Sequence, residues 1–206
     1  MNPWEKLDLE IYESHMELAT VSQLQLLNKI MKSQFYTYKI DSVGIWGVAG
    51  GNGLEHISCN SFNLVQGIDI NQKYLEIAKK RYLKLDCLSL KKLDLNDVTI
   101  SLDKVDLIIA NLLIEYIGLD TFITQLSRNS PKYVSCVIQE DNASDFVSKS
   151  PYNDSLKAIS ELALLVDGKD LISRMGGIGF KIVFKEKYVL FDEKSFIRLD
   201  FRRVMI

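Results

Sequence analysis

The chain has 206 residues, of which 47% are hydrophobic and 25% charged, and its formal net charge is −2. This length and composition are typical of one globular domain that buries a substantial core. The nearly balanced charge supplies no basic field that could hold a phosphate backbone, so we expect no nucleic-acid partner.

The cysteines suggest neither a disulfide framework nor a metal site. Cys59, Cys87 and Cys136 are far apart in the sequence, and the chain has two histidines. We therefore expect free thiols, no bound metal and a reducing, cytoplasmic location. Residues 1–10 lack the apolar segment of a signal peptide, and the most apolar stretch, 105–119, is interrupted by polar side chains. These features predict no membrane association.

The first predicted element is an N-terminal helix. Apolar side chains recur at helical spacing within residues 10–35. They are Val21, Leu24, Leu27 and Met31. Since this helix precedes the first strand, we expect residues 1–38 to form a helical lid on a single domain whose sheet core spans residues 40–206.

Strands and helices then alternate. A short apolar strand at residues 43–48 runs into Gly50, Gly51 and Gly53, after which we expect a helix from Leu54. The further predicted elements are a strand at 63–70, a helix at 71–85 with Asn71 as its N-cap, strands at 88–95 and 104–113, a helix at 121–127 and a strand at 133–140.

The pattern changes after residue 140. Residues 141–155 are polar and predict a loop, whereas 156–166 fit either a strand or a helix. Residues 169–175 predict a helix that ends at Gly176 and Gly177.

Two alternating segments close the chain. Residues 180–190 and 195–204 predict an antiparallel hairpin. In the second segment, Arg198, Asp200 and Arg202 alternate with apolar side chains, so we expect one face of the hairpin to be exposed to solvent.

This order of elements predicts the fold class. Alternating strands and helices indicate an α/β doubly wound, mostly parallel sheet, and the hairpin extends it to a seven-stranded sheet with an antiparallel end. Ligands of such sheets bind beyond the carboxyl ends of the strands, which is where the glycine turn lies.

The glycine turn and the acids that follow it predict a nucleoside site. Glycines let a ligand approach the backbone closely, and Asp69, at the end of the second strand, can accept hydrogen bonds from a ribose diol. This combination serves both NAD(P) enzymes and S-adenosylmethionine (SAM) enzymes. His56 stands where the third dinucleotide glycine would be, and Asp94 adds an acid after the third strand.

With these residues the chain resembles the class I SAM-dependent methyltransferases over about residues 40–204. The resemblance rests on the turn Ala49-Gly50-Gly51-Asn52-Gly53, on Asp69 and Asp94, on the segment that begins at Asn111, and on the terminal hairpin. It implies a Rossmann-like methyltransferase fold and SAM as the cofactor.

The resemblance also implies a role for each matched residue. The cofactor-binding set would be Ala49, Gly50, Gly51, Gly53, Asp69, Ile70, Asp94, Leu95 and Asn111. Asp69 would hold the ribose hydroxyls, Asp94 and the Leu95 N–H group the adenine, and the Asn111 carbonyl the methionine ammonium. Gly47 stands where the family has an acid that helps to bind this ammonium, so that contact lacks its usual partner.

Methyl transfer requires orientation of the reactants, and a general base only where the acceptor arrives protonated. Tyr12 and His15 in the lid are our candidate catalytic residues, as groups that bind or deprotonate the substrate. We expect SAM-dependent methyl transfer to a small molecule. The alternatives are an NAD(P)-dependent oxidoreductase and a non-catalytic SAM-binding protein that acts through a partner.

Overall fold

The computed structural model describes residues 2–140, 146–192 and 194–204. The described residues form the strands β1 (Ser42–Trp46), β2 (Leu64–Asp69), β3 (Leu88–Lys92), β4 (Leu107–Asn111), β5 (Tyr133–Glu140), β6 (Phe180–Val189) and β7 (Ser195–Arg203). Their helices are α1 (Leu9–Glu17), α2 (Gln23–Tyr36), α3 (Gln72–Arg81), α4 (Ile114–Ile117), α5 (Leu119–Asn129), α6 (Asn153–Ser160) and α7 (Gly168–Gly177), with 3-10 helices at Pro3–Glu5 and Leu54–His56.

The strands form one seven-stranded sheet in the order β3-β2-β1-β4-β5-β7-β6. Strands β1 to β5 pair in parallel, and β7 runs antiparallel to both β5 and β6. The predicted fold class is therefore confirmed. The strand order reverses between β1 and β4, so the carboxyl ends of these strands border the crevice where ligands bind in such folds.

Helix α3 begins as the sequence predicts. The Asn71 side chain accepts hydrogen bonds from the backbone N–H groups of Lys73 and Tyr74, which satisfies two donors of the first helical turn. Leu75 and Ala78 face the core. The helix ends at Arg81, four residues before the predicted end at residue 85.

The N-terminal region contains two helices where the sequence predicts one. Helix α1 ends at Glu17, and Ser22 (φ +51°) redirects the backbone before α2 begins. Met31 and Phe35 of α2 are buried against the apolar side chains of β1, β2 and β4. Helix α2 is thus part of the core packing, and only the segment before it remains available as a lid.

The expected helix from Leu54 is wrong, because the chain forms only a 3-10 turn there. Helix α2 packs on this turn instead. Nδ2 of the Asn28 side chain donates to Oδ1 of Asn52 at 2.9 Å, and Oδ1 of Asn28 lies 2.8 Å from Nε2 of His56. A helix from before β1 thus covers the connection between β1 and β2.

The exposed face predicted for the terminal hairpin is also wrong for β7. Arg198 and Asp200 are 1% and 0% exposed, because α2 covers this face. The Arg198 guanidinium pairs with Asp200 at 2.7 Å and donates to the Ser33 hydroxyl at 2.9 Å. The Tyr38 hydroxyl also donates to Asp200, at 2.9 Å. Arg198 and Asp200 thus form a buried ion pair with protein hydrogen-bond partners in place of the predicted contact with water.

The last part of the chain settles an ambiguity that the sequence left open. Residues 153–160 form α6, and the chain continues without strand structure to α7. Helix α7 includes Gly176 and Gly177, and the backbone leaves it at Gly179, with φ +83°. Part of the predicted loop, residues 141–145, lies outside the described residues.

The expectation of free thiols is wrong for two of the three cysteines. Cys59 and Cys87 form a disulfide, with Cα atoms 5.5 Å apart. The backbone N–H of Val65 in β2 donates a hydrogen bond to the carbonyl of Cys87, which brings the start of β3 next to β2. Cys59 lies in the loop that precedes β2. Cys136 is free and buried. The cysteines therefore do not indicate a reducing compartment.

Reduction of this disulfide is expected to lower the free energy of unfolding by about 2–4 kcal/mol, since the bond closes a loop in the unfolded chain. Urea unfolding with and without reductant measures the difference. Thiol titration in denaturant should detect one free thiol per chain before reduction and three after it. Three thiols in the purified, unreduced protein would contradict the pairing.

Candidate cofactor and acceptor cavities

The carboxyl ends of β1, β2 and β4 border a cavity with about 690 Å³ of empty space, part of which is open to solvent. We call it the cofactor cavity. The predicted residues that line it are Ala49, Asp69, Ile70, Asp94, Leu95 and Asn111, together with Tyr12 from α1. The fold thus brings residues from separate loops to one site, as expected for the switch point of a doubly wound sheet.

The glycine turn adopts backbone conformations that favour glycine. Gly47, Gly51 and Gly53 have φ angles of +73°, +88° and +90°, and Ala49 has a φ of +48°. At Gly51, a Cβ atom would lie 2.7 Å from the Tyr82 ring.

The three predicted glycines differ in placement. Gly50 lines a neighbouring cavity between the turn and the N-terminal helices. Gly51 and Gly53 line none of the described cavities, and a Cβ atom at Gly53 would lie 2.9 Å from Sδ of Met31. Their lack of a side chain therefore makes room for Tyr82 and Met31. A Cβ atom at Gly50 would lie within 2.8 Å of Glu13, Leu9 and Arg81, so its lack of a side chain also makes room for neighbours.

Asp69 connects the glycine turn to the start of α3. Its carboxylate accepts the Ala49 N–H at 2.9 Å and the Asn71 N–H at 2.8 Å. Burial raises the pKa of Asp69, and these backbone donors counteract the shift. Each carboxylate oxygen retains a further lone pair, so the group can also accept hydrogen bonds from a ligand.

Asp94 and Leu95, from the segment after β3, also line the cofactor cavity. The side chain of Asp94 is exposed, and its Oδ1 accepts the backbone N–H of Asn96 at 2.9 Å. Leu95 is 5% exposed. An apolar side chain beside a carboxylate suits a flat heterocycle with an amino group.

Asn111 ends β4 at the inner wall of the cofactor cavity. Its side-chain amide exchanges two hydrogen bonds of 2.9 Å with the amide of Gln34, a buried residue of α2. Leu112 follows with φ +51°, an uncommon backbone conformation for a residue of this type. The core helix thus fixes the side chain of Asn111, and the strained residue next to it turns the chain along the cavity wall.

The sequence did not reveal three aromatic residues of the cofactor cavity: Trp4, Tyr74 and Tyr116. Nε1 of Trp4 and the hydroxyl of Tyr74 are buried and have no hydrogen-bond partner among the described residues. Buried donors are seldom left unpaired. Two such donors in the wall of one cavity indicate that a polar ligand completes the site.

A second cavity, which we call the acceptor cavity, has about 430 Å³ of empty space, part of which is open to solvent, and adjoins the first. Both are lined by Trp4, Tyr12, Leu112 and Tyr116. The Trp4 ring contacts those of Tyr12 and Tyr116 edge to face, with centroids 5.5 and 4.8 Å apart. The two cavities thus share a largely aromatic wall.

His15 lines the acceptor cavity, and Tyr12 lines both. Nδ1 of His15 lies 2.8 Å from the Ser150 hydroxyl, and Nε2 has no hydrogen-bond partner among the described residues. Burial and the Lys194 ammonium lower the pKa of His15, so the imidazole is neutral at pH 7. Burial and the charge of Asp69 raise the pKa of Tyr12 above its ordinary value, which keeps that phenol protonated.

Glu115 is a buried acid beside the acceptor cavity. One carboxylate oxygen accepts the Gln139 N–H at 2.8 Å, and the other has no hydrogen-bond partner among the described residues. Burial raises the pKa of Glu115 to about 7. Gln139 lines the acceptor cavity and Glu115 does not. Glu115 is therefore linked to the cavity through its hydrogen bond with Gln139.

The fold is that of the class I SAM-dependent methyltransferases. The structure matches the N-methyltransferase NodS from Bradyrhizobium japonicum WM9 in complex with S-adenosylhomocysteine, with a TM-score of 0.70 and 12% identity over 100% of both chains. It also matches the magnesium protoporphyrin IX methyltransferase ChlM from Synechocystis PCC 6803 with bound SAM, with a TM-score of 0.62 and 14% identity over 93% of this chain and 83% of that chain.

A third match is the (4+2)-cyclase SpnF, with a TM-score of 0.64 and 12% identity over 88% of this chain and 82% of that chain. At such low identities the similarity establishes the fold, and the reaction must be argued from the site. No protein-family model matches the chain, and no curated protein matches it in sequence. Among the described residues, no helix is long and apolar enough to cross a membrane.

Proposed function

We propose that the protein is an enzyme that transfers a methyl group from SAM to a small, uncharged acceptor. The observation that carries this proposal is the junction of two cavities at Trp4, Tyr12, Leu112 and Tyr116. One cavity has the acids of a nucleoside site together with Gly47 and Ala49, and the other has mainly apolar walls. Two adjoining spaces of this kind suit a reaction between a bound cofactor and a second molecule.

The residues of the cofactor cavity fit SAM. Asp69 has lone pairs for the ribose hydroxyls, and Asp94 with Leu95 offers an acceptor and an apolar face for the adenine. Trp4 and Tyr74 contribute two buried polar groups without partners, which a nucleoside with several polar atoms can satisfy.

When bound, SAM supplies an electrophilic methyl group, and the protein's contribution is orientation, exclusion of water and removal of a proton. Trp4 and Tyr12 would exclude water at the junction. His15, neutral and with Nε2 unpartnered among the described residues, is the group that would accept a proton from the acceptor. Tyr12 would serve as a wall or a hydrogen-bond donor, because its raised pKa makes it a poor base at neutral pH.

The walls of the acceptor cavity favour an uncharged substrate. Met16, Phe146 and Leu156 contribute apolar surface, and no lysine or arginine is among the described residues that line the cavity. Gln23 and Ser148 add polar groups that can orient a substrate hydroxyl or amine. An anionic acceptor would have no cationic partner in these walls.

Binding of S-adenosylhomocysteine, measured by titration calorimetry against NADH, tests the proposal. We expect binding of S-adenosylhomocysteine and none of NADH, because Asp69 and Asp94 suit a nucleoside and His56 replaces the third dinucleotide glycine. Binding of NADH alone would favour the oxidoreductase alternative. Since a cyclase shares the fold, transfer of labelled methyl from SAM to candidate acceptors must then establish the reaction.

A further inference from the structure

A third cavity lies between the glycine turn and the N-terminal helices and has about 540 Å³ of empty space, part of which is open to solvent. It shares Tyr12, Gly47, Ala49 and Asn111 with the cofactor cavity, so the two spaces adjoin at the start of the glycine turn. An extended ligand that enters at the acids of the cofactor cavity can therefore reach past the turn into this space.

The structure explains why no acid follows β1. Gly47 has a φ of +73°, which disfavours any residue with a side chain. A Cβ atom at this position would also lie 3.2 Å from Cδ1 of Leu113. A carboxylate at residue 47 would therefore strain the backbone and displace a neighbour, so any acid for this cavity must come from another element.

That acid comes from α1. Glu13 is the one carboxylate among the described residues that line the third cavity. It reaches the turn closely, because a Cβ atom at Gly50 would lie 2.5 Å from Oε1 of Glu13. Its side chain is 20% exposed. The absent side chain of Gly50 thus leaves room for a carboxylate from a different part of the chain.

Arg81 positions Glu13. Its two terminal nitrogens bind the two Glu13 oxygens at 2.5 and 2.7 Å, and Nη1 also donates to the Gly50 carbonyl at 3.1 Å. This bidentate pair fixes the plane of the carboxylate. Each Glu13 oxygen keeps a second lone pair, so the carboxylate can accept a further donor from the cavity.

We propose that the third cavity binds the α-ammonium group of an amino-acid chain, that of SAM, and that Glu13 is its partner. The inference rests on the proposed function. An ammonium that leaves water needs an anionic or hydrogen-bonding partner, and Glu13 supplies the charge that Gly47 cannot. The cofactor site would then be complete only when α1 lies on the glycine turn.

The test compares two ligands by titration calorimetry on the full chain. S-adenosylhomocysteine carries the amino-acid chain, whereas 5′-methylthioadenosine has the same nucleoside without it. We expect Glu13→Gln to weaken S-adenosylhomocysteine binding by roughly 10- to 100-fold, the value of one hydrogen bond to a charged group. Binding of 5′-methylthioadenosine should be unchanged, which also shows that the variant is folded.

Each result bears on the proposal. Equal weakening of both ligands would make Glu13 a lid contact only and would overturn the inference, while the proposed function would stand. Tighter S-adenosylhomocysteine binding would place its carboxylate, not its ammonium, near Glu13 and would overturn the inference as well. If the wild type binds neither ligand, the proposed function itself fails. Glu10→Gln, on an exposed position of the same helix, is the matched control and should change neither affinity.

Discussion

Asp69→Ala is expected to weaken S-adenosylhomocysteine binding by roughly 10- to 150-fold, since hydrogen bonds to a charged group contribute about 1.5–3 kcal/mol. The carboxylate is expected to receive the ribose hydroxyls, and it also holds the Ala49 and Asn71 N–H groups. The substitution therefore removes ligand contacts and loosens the turn on which the ligand lies. Titration calorimetry gives the affinity, and thermal unfolding shows whether the variant is folded.

The comparison variant is Asp94→Ala, for which we expect a smaller loss of affinity. Asp94 is exposed, so water competes for its hydrogen bonds, and we expect it to accept from a single amino group. Affinities that are equal for the wild type and Asp69→Ala would show that the ribose does not lie at the end of β2.

Arg198→Met is expected to lower the free energy of unfolding by about 3–5 kcal/mol, because it leaves the Asp200 carboxylate buried without its countercharge. Asp200 is 0% exposed and would retain, among the residues that the structure describes, only the Ser135 and Tyr38 hydroxyls as donors. The Phe184 ring, whose centroid lies 4.8 Å from the guanidinium carbon, would also lose its cationic neighbour. Urea unfolding followed by circular dichroism measures the change.

Arg202→Met is the matched control on the same strand. Arg202 is exposed, so its loss should change the free energy of unfolding by less than about 0.5 kcal/mol. Equal destabilisation by the two variants would mean that the face of β7 that carries Arg198 is not covered by α2.

Local patterns were sufficient to predict the sheet. The apolar run of β4, the largely apolar β5 and the N-cap at Asn71 can each be recognised from a few consecutive residues. The acids at strand ends could also be predicted, because parallel strands bring their carboxyl ends to one edge. Asp69, Asp94 and Asn111 accordingly line one cavity.

Contacts between distant parts of the chain could not be predicted in this way. The alternation of apolar and charged residues in β7 shows that its two faces differ. The hydrogen bond from Arg198 to Ser33 joins residues that are 165 positions apart, so no local sequence pattern predicts it. Cys59 and Cys87 are likewise 28 residues apart and meet only because β2 and β3 pair. The burial of Arg198 and the pairing of Cys59 both depend on a residue far away in the sequence.

The aromatic part of the site was missed for a different reason. Tyr74 lies within an amphipathic helix, where an aromatic residue is read as core. Trp4 did leave a signal that could have been used, since Asn2 followed by Pro3 is a typical start of a helical turn. The Asn2 side chain accepts the backbone N–H of Trp4 at 3.1 Å, and Trp4 lines the cofactor cavity.

The burial of the Arg198–Asp200 pair beneath α2 has a consequence for synthesis on the ribosome. Helix α2 precedes the seven described strands, whereas its partners Arg198 and Asp200 lie on β7, the seventh of them. Ser33 and Tyr38 therefore remain exposed to solvent until Arg198, 165 residues after Ser33, has left the exit tunnel. Contacts that span most of a sequence form slowly, because a large loop must close first. Nascent chains that end before β7 should thus leave Leu27 and Ile30 of α2, which cluster with Phe196 of β7, available to chaperones, and release of β7 should end that interval.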